Sequence, residues 1–249
     1  MLPIKKRKSR KSESHNAFIM GLPHTIESKD QSIPAVLKRF SSRTQLTLNL
    51  QYRTRDRCLA DFRAKGVEEI AALAKDLHAF LTSWGFSERT ALLLPSDAHL
   101  LVPIVEIILD PLFTPLRDSV ARDLLDPQVQ RLVMLAATKI AKAYRECLSV
   151  EIENPDELVT HIIAATFGSI PPFENSLRKG IRILGLAPDS FSVSSLRTLA
   201  GFYLAHETEF EEFRSEQARK NNPHTQMAVL GFYFWELGNE NLGNKTSSR

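Results

Sequence analysis

Three groupings in the sequence carry residue types whose spacing suits chemistry. Glu174 stands just ahead of three cations, Arg178, Lys179 and Arg182. A carboxylate beside a basic helix could serve as general acid or base toward a phosphate-bearing substrate. Glu106 and Asp110 are four apart, so a helix would put both on one face as an acid/base pair or as oxygen ligands. Asp110 equally fits a cap for the segment after it, and Glu106 equally fits a solvent-facing charge. Glu157 and His161 are also four apart, a possible two-ligand clip. Zinc needs a third and fourth ligand at comparable spacing, and none follows.

The element that must position Glu174 is the stretch Pro155–Leu186, which punctuates itself clearly. Asn154-Pro155 is a helix start: the Asn side chain accepts an orphan amide hydrogen, and proline at the first helical position forfeits nothing. Leu158, Ile162, Ile163 and Thr166 recur at helical spacing. Gly168 supplies the stop, and Pro171-Pro172 force the residues before them to be extended. A second helix is expected from Pro172 or Phe173, with Phe173, Leu177, Ile181 and Leu184 on one side and Gly185 at its end.

"FGSIPPFENSLRKGI", with "PHTQMAVLGFYFWELG" near the C-terminus, resembles an uncharacterised bacterial all-helical family. Its pattern is F-G-x-[IV]-P-[AP]-[FY]-D, a basic helix, and later an M-x5-[FY]-W-x-[IL]-G segment. The likeness covers about the last third of the chain and implies an all-α fold without supplying an activity; Glu174 stands where the pattern has Asp. A weaker likeness is to the helix-hairpin-helix DNA glycosylases, in which an acid precedes a basic helix. It would give Glu174 a catalytic role, but the upstream L-P-G-[VI]-G hairpin is missing. Arg219-x4-His224 matches the R-x4-6-H pattern of the HEPN ribonucleases, yet Asn222-Pro223 marks a helix boundary between the two residues.

Elsewhere the helical signals are dense. Val67, Ile70, Leu73, Leu77, Phe80, Leu81 and Trp84 form a stripe within Asp56–Trp84, with a break expected near Gly66 and a stop at Gly85. His78 beside it reads as a structural histidine. Ser87–Leu94 reads as a short capped helix, and Asp97–Phe113 as an apolar helix kinked at Pro103. Asp126-Pro127 opens a long helix to about Ser149, lined by Val129, Leu132, Leu135, Ala136, Ile140, Ala143, Tyr144 and Cys147. Ser192–Ser195 offers caps for a helix to about Arg219, and Asn222-Pro223 starts the last one. Its "GFYFWELG" suits core packing, a docking seam or a pocket wall. Only Thr44–Tyr52 alternates as a strand would, without a partner. The expectation is an all-α bundle of seven or eight helices over residues 34–238, with a possible subdivision near 150–155 and a polar tail at 239–249.

Charge is unevenly placed. The net +3 of the chain divides into +9 over residues 1–57, with 13 Lys/Arg against 4 Asp/Glu, and −6 over the remainder. Met1–Ser32 is polar and aperiodic, the composition of a disordered tail. Within it Lys5, Lys6, Arg7, Lys8, Arg10 and Lys11 form a cationic run free of acid, and Arg39, Arg43, Arg53, Arg55 and Arg57 extend it. Such a run can contact phosphates by counterion release, act as a nuclear import signal in a eukaryote, or merely solubilise. With Arg178, Lys179 and Arg182 these are the candidate nucleic-acid contacts.

Two cysteines, Cys58 and Cys147, far apart and without metal spacing, suit a reducing cytoplasm. The region Ala91–Phe113 is too interrupted by Pro and acid for a membrane span. No G-x-x-x-x-G-K-[ST], G-x-G-x-x-G or G-x-S-x-G occurs, and neither metal nor cofactor is expected. Three readings follow: a non-enzymatic nucleic-acid-associated or complex-forming protein, a nucleic-acid-processing enzyme using Glu174, or a protein–protein adaptor docking through Phe232–Trp235; the partners expected are nucleic acid, and another protein or a second copy of the chain.

Overall fold

A computed structural model describes residues 31–44, 49–86, 95–117, 119–148, 155–186 and 188–243. Among them are eleven α-helices and no strand. They are α1 (Ile33–Thr44), α2 (Asn49–Ala64), α3 (Ile70–Ser83), α4 (Val102–Leu109), α5 (Thr114–Arg117), α6 (Pro127–Leu148), α7 (Pro155–Thr166), α8 (Asn175–Ile183), α9 (Val193–Ala205), α10 (Glu207–Arg219) and α11 (Gln226–Gly243). Short 3-10 turns link several of them. The fold is all-α, with more and shorter helices than the seven or eight expected.

The extra helices arise where the chain bends within a run of helical spacing. The stretch from Ser192 to Arg219 breaks at His206 into α9 and α10. Ser192 opens α9 with a capping box, its hydroxyl accepting from the Ser195 amide while Ser195 Oγ accepts from the Ser192 amide. Pro103 sits in the first turn of α4 and starts that helix instead of kinking a longer one. Of the alternating stretch Thr44–Tyr52, residues 45–48 lie outside the described residues, and Asn49–Tyr52 open α2, which packs against α3. The break near Gly66 lies between α2 and α3, as expected. The segments Ser87–Leu94 and Glu151–Asn154, and the leader before Gln31, fall outside the described residues.

Helix α11 is central, packed against α8, α1, α10 and α9. Met227, Val229, Leu230, Phe232, Tyr233, Phe234 and Leu237 are all buried, covering every side of the helix. Close approach to α8 depends on glycine. A Cβ on Gly180 would overlap the Phe234 carbonyl, and one on Gly238 would overlap the Ser176 carbonyl. Helix α7 is likewise enclosed, every residue from Leu158 to Thr166 being buried.

Candidate functional site

Glu174 is held in place by the backbone of the residue before it. The Phe173 amide donates to Thr160 Oγ1 on α7 at 2.8 Å, and the Phe173 carbonyl accepts from Arg178 Nε at 3.0 Å. Gly168, at φ 70°, turns the chain out of α7, and the Pro171-Pro172 pair delays α8 until Asn175, two or three residues later than expected. Glu174 becomes the N-cap of α8, yet its carboxyl accepts no capping hydrogen bond. The carboxyl borders a small internal cavity instead.

The cavity has a volume of about 20 Å³, room for a single water molecule. Its walls are aromatic: Tyr52 from α2, Phe80 and Trp84 from and just after α3, Phe232 and Trp235 from α11. His161 on α7 completes them, its Nδ1 against the Glu157 backbone carbonyl at 2.8 Å and its ring edge-on to Trp84 with centroids 4.7 Å apart. Burial, seconded by the nearby Glu157 charge, raises the Glu174 pKa from 4.5 to about 8. The carboxyl is protonated at neutral pH and can donate a hydrogen bond. Burial first, and the Glu174 charge second, push the Tyr52 phenol well above its ordinary range.

Arg55 closes the cavity from the α2 side. Only 5% exposed, its guanidinium lies over the rings of Tyr52 and Phe232, at 5.2 and 5.0 Å from their centroids. It donates through Nε and Nη2 to Asp56 Oδ1. The other Asp56 oxygen faces His224 Nδ1 at 3.8 Å, and Asn222 Nδ2 lies 3.0 Å from His224 Nε2. Burial, together with the Arg55 charge, lowers the His224 pKa to about 4, so the imidazole is neutral at pH 7.

The structure brings together only part of what the sequence singled out. Glu174 and Arg55 share the cavity, whereas Arg178 turns away to the Phe173 carbonyl and to Asp156 at 4.0 Å. Arg182 pairs with Asp189 at 2.5 Å; Lys179 is half-buried. Arg43 pairs with buried Glu236, Arg57 with Asp61 and Asp76, while Arg53 is exposed and Arg39 half-buried. Glu106 points to solvent; Asp110 accepts from the Leu112 amide at 2.9 Å and meets Lys139 at 3.7 Å, a cap and not an acid/base partner. Lys5, Lys6, Arg7, Lys8, Arg10 and Lys11 lie outside the described residues. Arg219 and His224 are separated by a reversal through Asn221, at φ 57°, as Asn222-Pro223 implied.

Sequence reasoning missed Tyr52, Trp84, Asp56 and His224 as members of one cluster. A trace existed: Tyr52, Arg55 and Asp56 are one helical turn apart and share a face of α2. Nothing local to the sequence linked that face to Glu174, some 120 residues away. Among the described residues no group of three or more His, Cys, Asp or Glu could hold a metal ion. No single described helix is long and apolar enough to cross a membrane. Comparison with protein-family models, curated proteins and solved structures finds no match to this chain.

Proposed function

We propose that this is a non-enzymatic, nucleic-acid-associated helical protein whose cationic leader makes the phosphate contacts. The observation that carries the reading is how unevenly positive charge is placed along the chain. Lys5, Lys6, Arg7, Lys8, Arg10 and Lys11 have no acid among them. In the body, Arg43, Arg55, Arg57, Arg178 and Arg182 are each paired with a carboxylate. The body then acts as a scaffold, and the leader supplies salt-sensitive, sequence-independent affinity.

The test keeps the whole chain, because Ile33, Val36, Leu37 and Phe40 of α1 belong to the core and a cut at Arg57 would remove them. The six leader cations are changed together to Gln, and binding to generic duplex DNA and single-stranded RNA is followed by fluorescence anisotropy across salt. With six phosphates neutralised, log K against log[salt] should fall with a slope of about −5 for duplex DNA. The variant should lose that slope. Absence of binding by the native chain at low salt removes the reading.

One observation favours an enzyme instead: a carboxyl with its pKa near 8 in an aromatic cavity is the state a general acid needs. Against it, a space of about 20 Å³ holds one water and no substrate. Of the Phe232–Trp235 segment that an adaptor would use, Phe232, Tyr233 and Phe234 are at most 3% exposed and Trp235 is half-buried, which leaves little ring surface for a partner.

A further inference from the structure

Between α1, α2 and α10 lies a cleft of about 460 Å³, within the range of ligand sites, roughly 300–1,000 Å³. Its floor is aromatic and its rim is polar. We propose that this cleft takes an unpaired nucleobase stacked on Phe213, so that the nucleic acid bound is single-stranded. The assignment rests on the leader's phosphate contacts for overall affinity and adds a contact with the bases.

Helix α10 supplies the contact face. Phe213, Gln217 and Lys220, the last being the C-cap, are spaced i, i+4 and i+7, and all three line the cleft. Phe210, one turn before Phe213, is fully buried and stacked on Tyr203 with centroids 4.8 Å apart, as a core phenylalanine should be. Phe213 is only half-buried, and among the described residues its ring meets no other ring. An aromatic ring without an aromatic neighbour, in the wall of an open cleft, can accept a base on its face whatever the sequence. The Gln217 side-chain amide, one turn on, has no hydrogen-bond partner among the described residues. It carries both the donor and the acceptor that a base edge requires.

The floor is rigid. Phe40 and Phe232 stack with centroids 4.2 Å apart, and Tyr52 stands edge-on to both, so three rings from three helices lock one another beneath the cleft. Charge decides where the phosphates run. Asp56, the one carboxylate lining this cleft among the described residues, is engaged by Arg55. Arg53 is exposed and has no carboxylate partner among the described residues. Lys220 pairs with Glu216 at 2.6 Å, but both side chains are more than half exposed, so a phosphate can replace the carboxylate at little cost. A second cleft, of about 1,020 Å³, lies beyond Phe213 and carries Glu209, Glu212 and Glu216. Those acids repel a phosphate backbone, so the strand passes over Arg53 and gives only a base to Phe213.

The experiment measures, by fluorescence anisotropy at low salt, the affinity of the full chain for an octathymidylate and for an abasic octamer with the same backbone. The phosphates are identical, so the ratio of the two affinities reads base contact alone. The native chain should prefer the octathymidylate by about tenfold, the effect of one stacked base. Phe213→Leu keeps an apolar side chain against the core but has no π-face; it should bring the ratio close to one and leave abasic binding unchanged. Gln217→Ala, at the surface, should lower the ratio by about threefold. A ratio near one in the native chain, or one that neither variant changes, overturns the proposal. The leader is read separately, from the salt slope with the abasic octamer. A slope unaltered when the six leader cations are changed to Gln sinks that reading and leaves the ratio standing; no binding of either octamer removes both.

Discussion

Gly180 on α8 and Phe234 on α11 touch backbone to backbone: a methyl group on Gly180 would occupy the space of the Phe234 carbonyl. Gly238 repeats the relationship with the Ser176 carbonyl, so two glycines set the separation of the two helices. Neither obstacle is a flexible side chain that could swing aside. Gly180→Ala and Gly238→Ala should each destabilise by about 1–3 kcal/mol or more, read as a lowered urea midpoint. Gly66→Ala is the control, because its Cβ would meet only the Glu68 side chain, which can move. A small effect at Gly180 and Gly238 would mean that the helices are further apart than described.

Arg43 on α1 pairs with Glu236 on α11, Nη2 to Oε1 at 3.2 Å. The carboxylate is fully buried, and the arginine is 45% exposed. Truncating the arginine leaves a buried charge with less compensation, whereas neutralising both ends does not. Arg43→Ala should cost about 1–3 kcal/mol, and adding Glu236→Gln should recover much of it. A double-mutant cycle in urea measures this; strict additivity of the two changes would show that the pair is not coupled.

Much of the fold was legible because helix boundaries are written in local chemistry. The 22 residues of α6 open at Pro127 as the Asp126-Pro127 pair implies, and Gly168 and Gly185 turn the chain at positive φ where the sequence predicts a stop. Faces were harder. In α6, helical spacing puts Leu135 on the inner stripe, yet it is 40% exposed, while Val133, outside that stripe, is fully buried. Spacing fixes which residues share a face, but only the neighbouring helices decide which face is inner. In α2 the short alternation misleads, because residues two apart lie about 200° round a helix: Leu50 is 69% exposed while Tyr52 packs against the core. The cavity was not legible at all, because it joins α2, α3, α7, α8 and α11, and that joining is tertiary.

Arg55 fills the space over Tyr52 and Phe232 with a stem and a flat cation, and its partner Asp56 is partly exposed. Packing should therefore account for more of its value than the ion pair. Arg55→Ala should cost about 2–4 kcal/mol through the space left behind and the lost ring contacts. Arg55→Met, similar in length, should recover at least half of that, since Asp56 can still reach water. Equal losses in both variants, by chemical denaturation, would instead assign the role to the charge.

Glu174 and His224 pull the pH dependence of stability in opposite directions. Folded Glu174 keeps its proton up to about pH 8, against 4.5 for the free side chain. The folded state binds the extra proton across that window, so stability falls as pH rises through it. His224, with its pKa lowered from 6.5 to about 4, binds more protons when unfolded, so stability rises with pH across that lower window. The two slopes oppose each other wherever the windows overlap, and above pH 6.5 the Glu174 slope stands alone. For one proton it is at most about 1.4 kcal/mol per pH unit, and less here because Glu174 is not wholly shielded from solvent. Subtracting the stability profile of Glu174→Gln from that of the native chain cancels all other groups. The difference should decline steadily up to about pH 8 and then level off. The matching subtraction for His224→Asn should climb from about pH 4 to 6.5. A Glu174 difference already level above pH 5 would place that carboxyl in water and dissolve the cavity cluster built around it.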